Sequence, residues 1–347
     1  MGPGDGEAFV QFRGDCSSVG TGERKQGSSV GTGERKQEQL QRDSTQPHRA
    51  TDTTPSPLER SSSQVIMPRL LYGGEHVRTE EANAAMVTNP GVFPFGQPVA
   101  PVVQRDRSPK EIFVLGVYAS AVHARWIGPE GGQVIAALAV ASEPSIFWRG
   151  EDAEAIISTI NVPREVGRLE PASRRLNGPS GRALDEQFLH PLGVQRSDAW
   201  LCDLVPHSCM NPRQAAAVER EYMPLVRRGL VPAPRWSEVP KELASPDRIE
   251  AIEAELVASR ASIVVTLGDQ PLRWFTRRYG SGTRLSAYGT EKSVYGRLHP
   301  MEVRGRAVSL LPLVHPRQAA GLGGHSTTWR SLHGHWVEGV APRLLGR

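Results

Sequence analysis

The chain has 347 residues, 38% of them hydrophobic, 22% charged and only 6% aromatic, enough for one large or two modest globular domains. It has no run of about 18 apolar residues and no apolar core near its start, so neither a membrane span nor a secretory leader is expected. Three cysteines, Cys16, Cys202 and Cys209, cannot build a disulfide scaffold or a four-cysteine cluster; a reducing, cytoplasmic compartment fits, and the +4 formal charge admits a polyanionic partner without requiring one.

Residues 1–66 are poor in large apolar side chains and contain SSVGTGERKQ twice, at 17–26 and 28–37. Such a segment cannot offset chain entropy by burial, so the expectation is a disordered leader, or a start placed too far upstream with Met67 as the true beginning. Residues 67–110 read as an irregular extension. Residues 111–340 read as a single α/β domain with an irregular insertion at 143–190, where Pro, Gly and Arg are frequent.

The first clear element is Glu111–Gly116, EIFVLG, a buried strand. A helix is expected after GPEGG, over Gln133–Ala141. Ala199–Val205 is the second strand. The helix after it has a cap at Asn211, Pro212 in its first position and Gln214 where a capping box places it, with Val218, Tyr222 and Leu225 on its inner face. Ser245–Pro246 starts another helix, burying Ile249, Ile252 and Leu256. The third strand is Ser262–Leu267, and Gly268-Asp269-Gln270-Pro271 turns directly into a helix carrying Leu272 and Phe275. Ala307–Val314 is the last strand. A closing helix over Thr327–Val337 turns Trp329, Leu332 and Trp336 inward.

Strands alternating with helices predict a three-layer αβα domain around a mainly parallel four-stranded sheet. Ligands of such sheets bind outside the carboxyl ends of the strands. Four stretches are thereby drawn to one cleft: Val117–Trp126, Asp203–Asn211, Gly268–Gln270 and His315–Gln318. Among their residues His315 is the sharpest candidate, because Pro316 fixes the chain after it and a rigidly held imidazole can stabilise developing anionic charge or move a proton. Asp203 could bond a donor edge of a ligand or act as a base. His123 is the one base available in GVYASAVHARW, where Tyr118 could stack on a planar ligand and Ser120 lies close by. Asn211, Asp269, Arg317 and Gln318 complete the ligand-binding candidates, although Asn211 and Asp269 also suit ordinary helix capping. His325, His333 and His335 lack the spacing of a zinc site, and Cys209 has only His207 near it, so neither a metal nor a cysteine nucleophile is expected.

Three segments in order, WLCDLVPHSCMNPRQAAAVEREYMPL, ELVASRASIVVTLGDQPLRWF and LLPLVHPRQAAGL, resemble the uracil-DNA glycosylase superfamily, nearest to its bacterial and archaeal iron–sulfur-type branches; FVLGVYASAVHARW takes the place of the first motif. The resemblance spans about residues 110–340. It implies that His315 stabilises a base leaving as an anion, that Pro316–Ala319 approach the minor groove with Arg317 or Gln318 as a wedge, and that Asp203 stands where the family usually has an asparagine that reads the base edge. Val117 replaces a water-orienting polar residue, and the cluster cysteines are missing, so no cofactor is expected. The implied partner is DNA, single- or double-stranded, held through its backbone by residues such as Arg125, Arg213, Arg273 and Arg317, and the expected form is a monomer. Two other readings fit the same cleft: a nucleic-acid-binding module without catalysis, and a nucleoside or nucleotide hydrolase.

Overall fold

The computed structural model describes residues 91–321 and 327–346; the leader at 1–66, Cys16 and His325 lie outside them. In chain order the strands are β1 (Gly91–Val92), β2 (Ile112–Tyr118), β3 (Ala121–Ile127), β4 (Gln133–Ser142), β5 (Arg168–Pro171), β6 (Ala199–Val205), β7 (Arg235–Trp236), β8 (Ile263–Leu267), β9 (His299–Val303) and β10 (Arg306–Leu313). The helices that concern the site are α1 (Ala153–Ser158), α2 (Pro179–Leu184), α3 (Pro212–Ala217), α4 (Met223–Arg227), α5 (Pro246–Ser259), α6 (Asp269–Tyr279), α7 (Pro316–Ala319) and α8 (Thr327–His335).

The apolar runs IFVLG, AWLCDLV, IVVTL and the end of RAVSLLPL are buried almost without interruption, as strands covered on both faces must be. They pair in the order β6-β2-β8-β10 as a parallel sheet, and β9 adds a fifth, antiparallel strand at the edge through the tight β9–β10 hairpin. Helices flank this sheet, an arrangement consistent with the expected αβα layering. The core gathers Phe113, Leu115, Trp200, Leu204, Leu256, Val265, Leu272, Phe275 and Leu311 between sheet and helices. The sheet therefore has five strands rather than four; the extra one, His299–Val303, alternates exposure along its length and carries no continuous apolar run to announce it.

The second departure is larger. Gln133–Ala141 is not a helix but most of β4, which pairs antiparallel with β3, and β5 completes a separate three-stranded sheet. The glycines of GPEGG form the β3–β4 hairpin turn, in which the Gly128 N–H donates to Gly132 O at 2.8 Å and Gly131 has φ +85°. Alanine favours helix in isolation, but here Leu138, Ala139 and Val140 are buried against partners the local sequence does not display. The insertion at 143–190 is likewise not wholly irregular: it holds α1, β5 and α2, the last running into a π-helical turn at Asp185–Leu189.

Residues 91–102 lack long elements but are packed into the domain. Phe93, Phe95, Val99 and Val102 are all buried. The Phe95 N–H donates to Tyr222 Oη at 2.7 Å, and the Tyr222 hydroxyl donates onward to Pro232 O at 3.1 Å. The Phe95 ring meets Tyr222 and Trp126 edge-on, at 5.1 and 5.8 Å between centroids. Tyr222→Phe should keep this packing and orphan the buried Phe95 N–H, lowering stability by about 1–3 kcal/mol in urea denaturation; an unchanged midpoint would show that the N–H finds another acceptor. Among the described residues no helix is long and apolar enough to cross a membrane.

Candidate functional site

From β2 the chain crosses to β6 on one side, then returns past β2 to β8 on the other. This reversal marks a switch point at the carboxyl ends of β2 and β8, the kind of place where open α/β sheets take their ligands in a crevice. Two glycines bound it. A Cβ on Gly116, near the end of β2, would stand 2.2 Å from Asp203 Oδ1 and 2.8 Å from the Phe147 ring. A Cβ on Gly268, at φ +93° just after β8, would stand 3.1 Å from the His315 Cβ. Each glycine thus clears room for a side chain of chemical interest.

His315 caps α7. Its Nδ1 accepts from the Arg317 N–H at 3.2 Å, and its own N–H donates to Gln318 Oε1 at 3.3 Å, closing a capping box. Burial, with Arg317 adding to it, holds the imidazole down at about 4, so the ring is neutral near pH 7. Because Nδ1 is an acceptor, the proton sits on Nε2. The Nε2–H has no acceptor among the described residues. Gln318, expected to meet a ligand, is instead engaged in fixing His315.

Asp203 is 3% exposed and lies beside the Phe147 ring over Gly116. Arg248 clamps the backbone there: Nε and Nη2 donate to the Asp203 carbonyl at 3.1 and 2.6 Å, Nη1 to Glu255 Oε1 at 2.9 Å. Burial pushes the Asp203 carboxyl up to about 7, Arg248 opposing and Glu255 adding. Glu143, at the end of β4, is also buried; its Oε1 accepts the Ser120 N–H at 3.0 Å. Burial first and the neighbouring Asp203 second push it up to about 8. Two carboxyl groups with raised proton affinity therefore share this edge.

Phe147 has φ +52°, a conformation that bulky residues seldom adopt. Arg196 holds it there: Nη1 donates to Phe147 O at 3.1 Å, Nη2 to Gly181 O at 3.0 Å, and Nε to Asp185 Oδ1 at 2.8 Å. Strain secured by so many contacts is a feature of functional sites, and the edge of the ring lies against Gly116 beside Asp203. Neither Glu143 nor Phe147 stands out in the sequence. Both lie in SEPSIFWRG, at the start of what reads as a structureless insertion, and only the β3–β4 hairpin brings them back to the sheet edge.

The other candidates divide. Tyr118 is 39% exposed at the end of β2, and its charge interaction reaches Arg317, whose guanidinium affinity for its proton is lowered by burial. His123 does not lie on a loop after β2 but within β3; Asn177 brackets its backbone, accepting its N–H at 2.8 Å and donating to its carbonyl at 2.9 Å. Its Nδ1 is buried without a partner among the described residues, and burial, with Arg317 adding, holds the ring at about 4. So weak a base is poorly matched to activating water at neutral pH; Glu143 is the stronger one. Asn211 Oδ1 caps α3, accepting from the Arg213 and Gln214 N–H groups at 3.0 Å each. The expected reciprocal half of that box is absent, because the Gln214 side chain donates to Ala137 O instead. Asp269 Oδ1 accepts the Leu285 N–H at 2.7 Å and so fastens a loop. Arg125 is paired with Glu170.

No family model and no curated protein matches this chain.

Behind this edge, the Val314 N–H donates to Tyr295 Oη at 3.0 Å, the Tyr295 hydroxyl meets His333 Nδ1 at 2.9 Å, and His333 Nε2 meets Gln187 O at 2.9 Å. The carbonyl can only accept, so the proton is on Nε2 and Tyr295 donates to Nδ1. His333 thus steadies the strand end that carries His315. Cys209, 4.0 Å from His207 Nδ1, is raised to about 11 by burial, which disfavours a thiolate nucleophile.

Proposed function

We propose that this protein hydrolyses the N-glycosidic bond of a base flipped out of DNA, on a uracil-DNA glycosylase-like scaffold. The observation that carries the reading is His315, a neutral imidazole fixed by its own capping box, with no acceptor for its Nε2–H among the described residues and packed against Gly268 at the carboxyl edge of the sheet, the edge where Phe147 and Asp203 meet over Gly116. A flipped base stacked on Phe147 would place one edge against Asp203. Cleavage breaks the bond between the sugar C1′ and the base nitrogen, and the base leaves with the electron pair. The His315 Nε2–H donates to the base oxygen on which that charge collects. A water oxygen bonds to C1′; Glu143, when ionised, takes the proton the water loses, and the departing anion is protonated from the medium. The enzyme must supply a few kcal/mol to unstack the base, least for a mismatched or single-stranded one.

The test is abasic-site formation in labelled oligonucleotides that contain uracil, hypoxanthine, xanthine or a mismatch. Release of one base establishes the reaction and names the substrate. DNA binding without release from any of them would favour the binding-module reading, which the apolar Val117 beside the site supports. Arg317, next to Tyr118 and His123, is assigned a phosphate contact. Arg317→Gln should weaken binding at low salt and reduce the slope of log K against log salt by about 0.9, read by fluorescence anisotropy from 50 to 200 mM salt. An unchanged slope removes Arg317 from the interface.

A further inference from the structure

We propose that Asp203 meets its ligand as a neutral carboxylic acid, presenting one donor and one acceptor to a base edge that carries an acceptor beside a donor, as the carbonyl and ring N–H of a lactam do. This deepens the glycosylase reading and, for the ligand being a base in DNA, rests on it.

Three other aspartates of the domain receive donors: Asp185 from Arg196, Asp269 from the Leu285 N–H, Asp106 from Lys110 and Ser108. Asp203 is buried, and among the described residues no donor reaches either carboxyl oxygen. The one adjacent cation, Arg248, directs its N–H groups to the Asp203 backbone carbonyl, to Glu255 and to Cys202 Sγ. A buried carboxylate with no donor carries an uncompensated charge, and protonation removes that cost. The titratable and charged groups that face it are Arg248 and Glu255 on α5, Cys202 beside it on β6, and Glu143 just after β4. The acidic ones among them oppose ionisation, and burial outweighs Arg248, so the carboxyl titrates at about 7.

An ionised carboxylate only accepts, and would turn one oxygen against the carbonyl of a lactam. The neutral acid donates to that carbonyl and accepts from the adjacent N–H, doing what an amide side chain does. The aspartate at this position is then compatible with a uracil-like edge, at the cost of making recognition depend on pH. Recognition is intact below about 7 and is lost as pH rises through it.

The experiment compares single-turnover uracil release from a labelled oligonucleotide by the native protein, Asp203→Asn and Asp203→Ala between pH 6 and 8. Asparagine keeps a donor and an acceptor but cannot titrate. For a group at about 7, the neutral fraction falls about tenfold over this range, so the ratio of Asp203→Asn rate to native rate should rise about tenfold. Titrations common to both proteins cancel in the ratio. A flat ratio, or an asparagine variant as inactive as the alanine one at every pH, overturns the inference. If no protein releases uracil, hypoxanthine, xanthine or a mismatched base at any pH, the glycosylase reading fails instead. The inference is then decided by carboxyl-carbon NMR of the free protein, with the Asp203 resonance assigned by its loss in Asp203→Asn. A midpoint near neutrality supports the neutral acid; one near the ordinary aspartate value of about 4 overturns it.

Discussion

His315→Ala should slow base release by about 10²–10³-fold, the usual cost of deleting one donor aimed at a developing anion. DNA affinity at fixed salt should change little. The distinction follows from what each part of the loop does. Phosphate contacts come from cationic side chains and set affinity, whereas the His315 ring is neutral and offers one N–H to the departing base. The ring's state adds a second signature. Held at about 4, it does not titrate between pH 6 and 8, so the His315→Ala and native profiles should run parallel there. His315→Gln, which keeps a donor on a flexible chain, should recover part of the loss. A variant that loses DNA affinity in proportion to its rate would instead make His315 a docking residue.

The sheet and its carboxyl edge were legible because they rest on local signals. Ala199–Val205 is a strand with the bounds its apolar run predicts. Asn211-Pro212 and Ser245-Pro246 start helices because their side chains accept the free N–H groups of the first turn. His315 could be placed at the edge because a strand runs into a His-Pro step. What could not be read depends on contacts between distant segments. β4 is a strand because β3 pairs with it, although its alanines would suit a helix. Phe147 is held in a strained conformation by Arg196, 49 residues further along the chain. Glu143 is a site residue only because the hairpin returns it to Ser120. The same hairpin removes His123 from the loop where it was expected, and so moves the strongest base of the site from a histidine to a carboxyl group.

Arg248→Met is expected to be the most damaging single change to stability, costing about 3–5 kcal/mol in urea denaturation, the range for breaking a buried ion pair by removing one partner. The Arg248 and Glu255 side chains are 11% and 6% exposed and 2.9 Å apart. Glu255 also accepts the Trp200 indole N–H at 2.9 Å. With the guanidinium gone, Glu255 is left as a buried anion with one neutral donor, and the Asp203 carbonyl loses both N–H groups that fasten it. The penalty belongs to the orphaned partner, not to the pair as such. Arg248→Met combined with Glu255→Gln should therefore be more stable than Arg248→Met alone, since glutamine still accepts from Trp200 and carries no charge. A double variant that merely adds the two single losses would mean that the groups act independently. The outcome bears on the site as well as on folding: Arg248 grips Asp203 by its backbone while leaving its carboxyl without a donor, so the residue that fixes the position of this acid is also the one whose geometry lets it stay neutral.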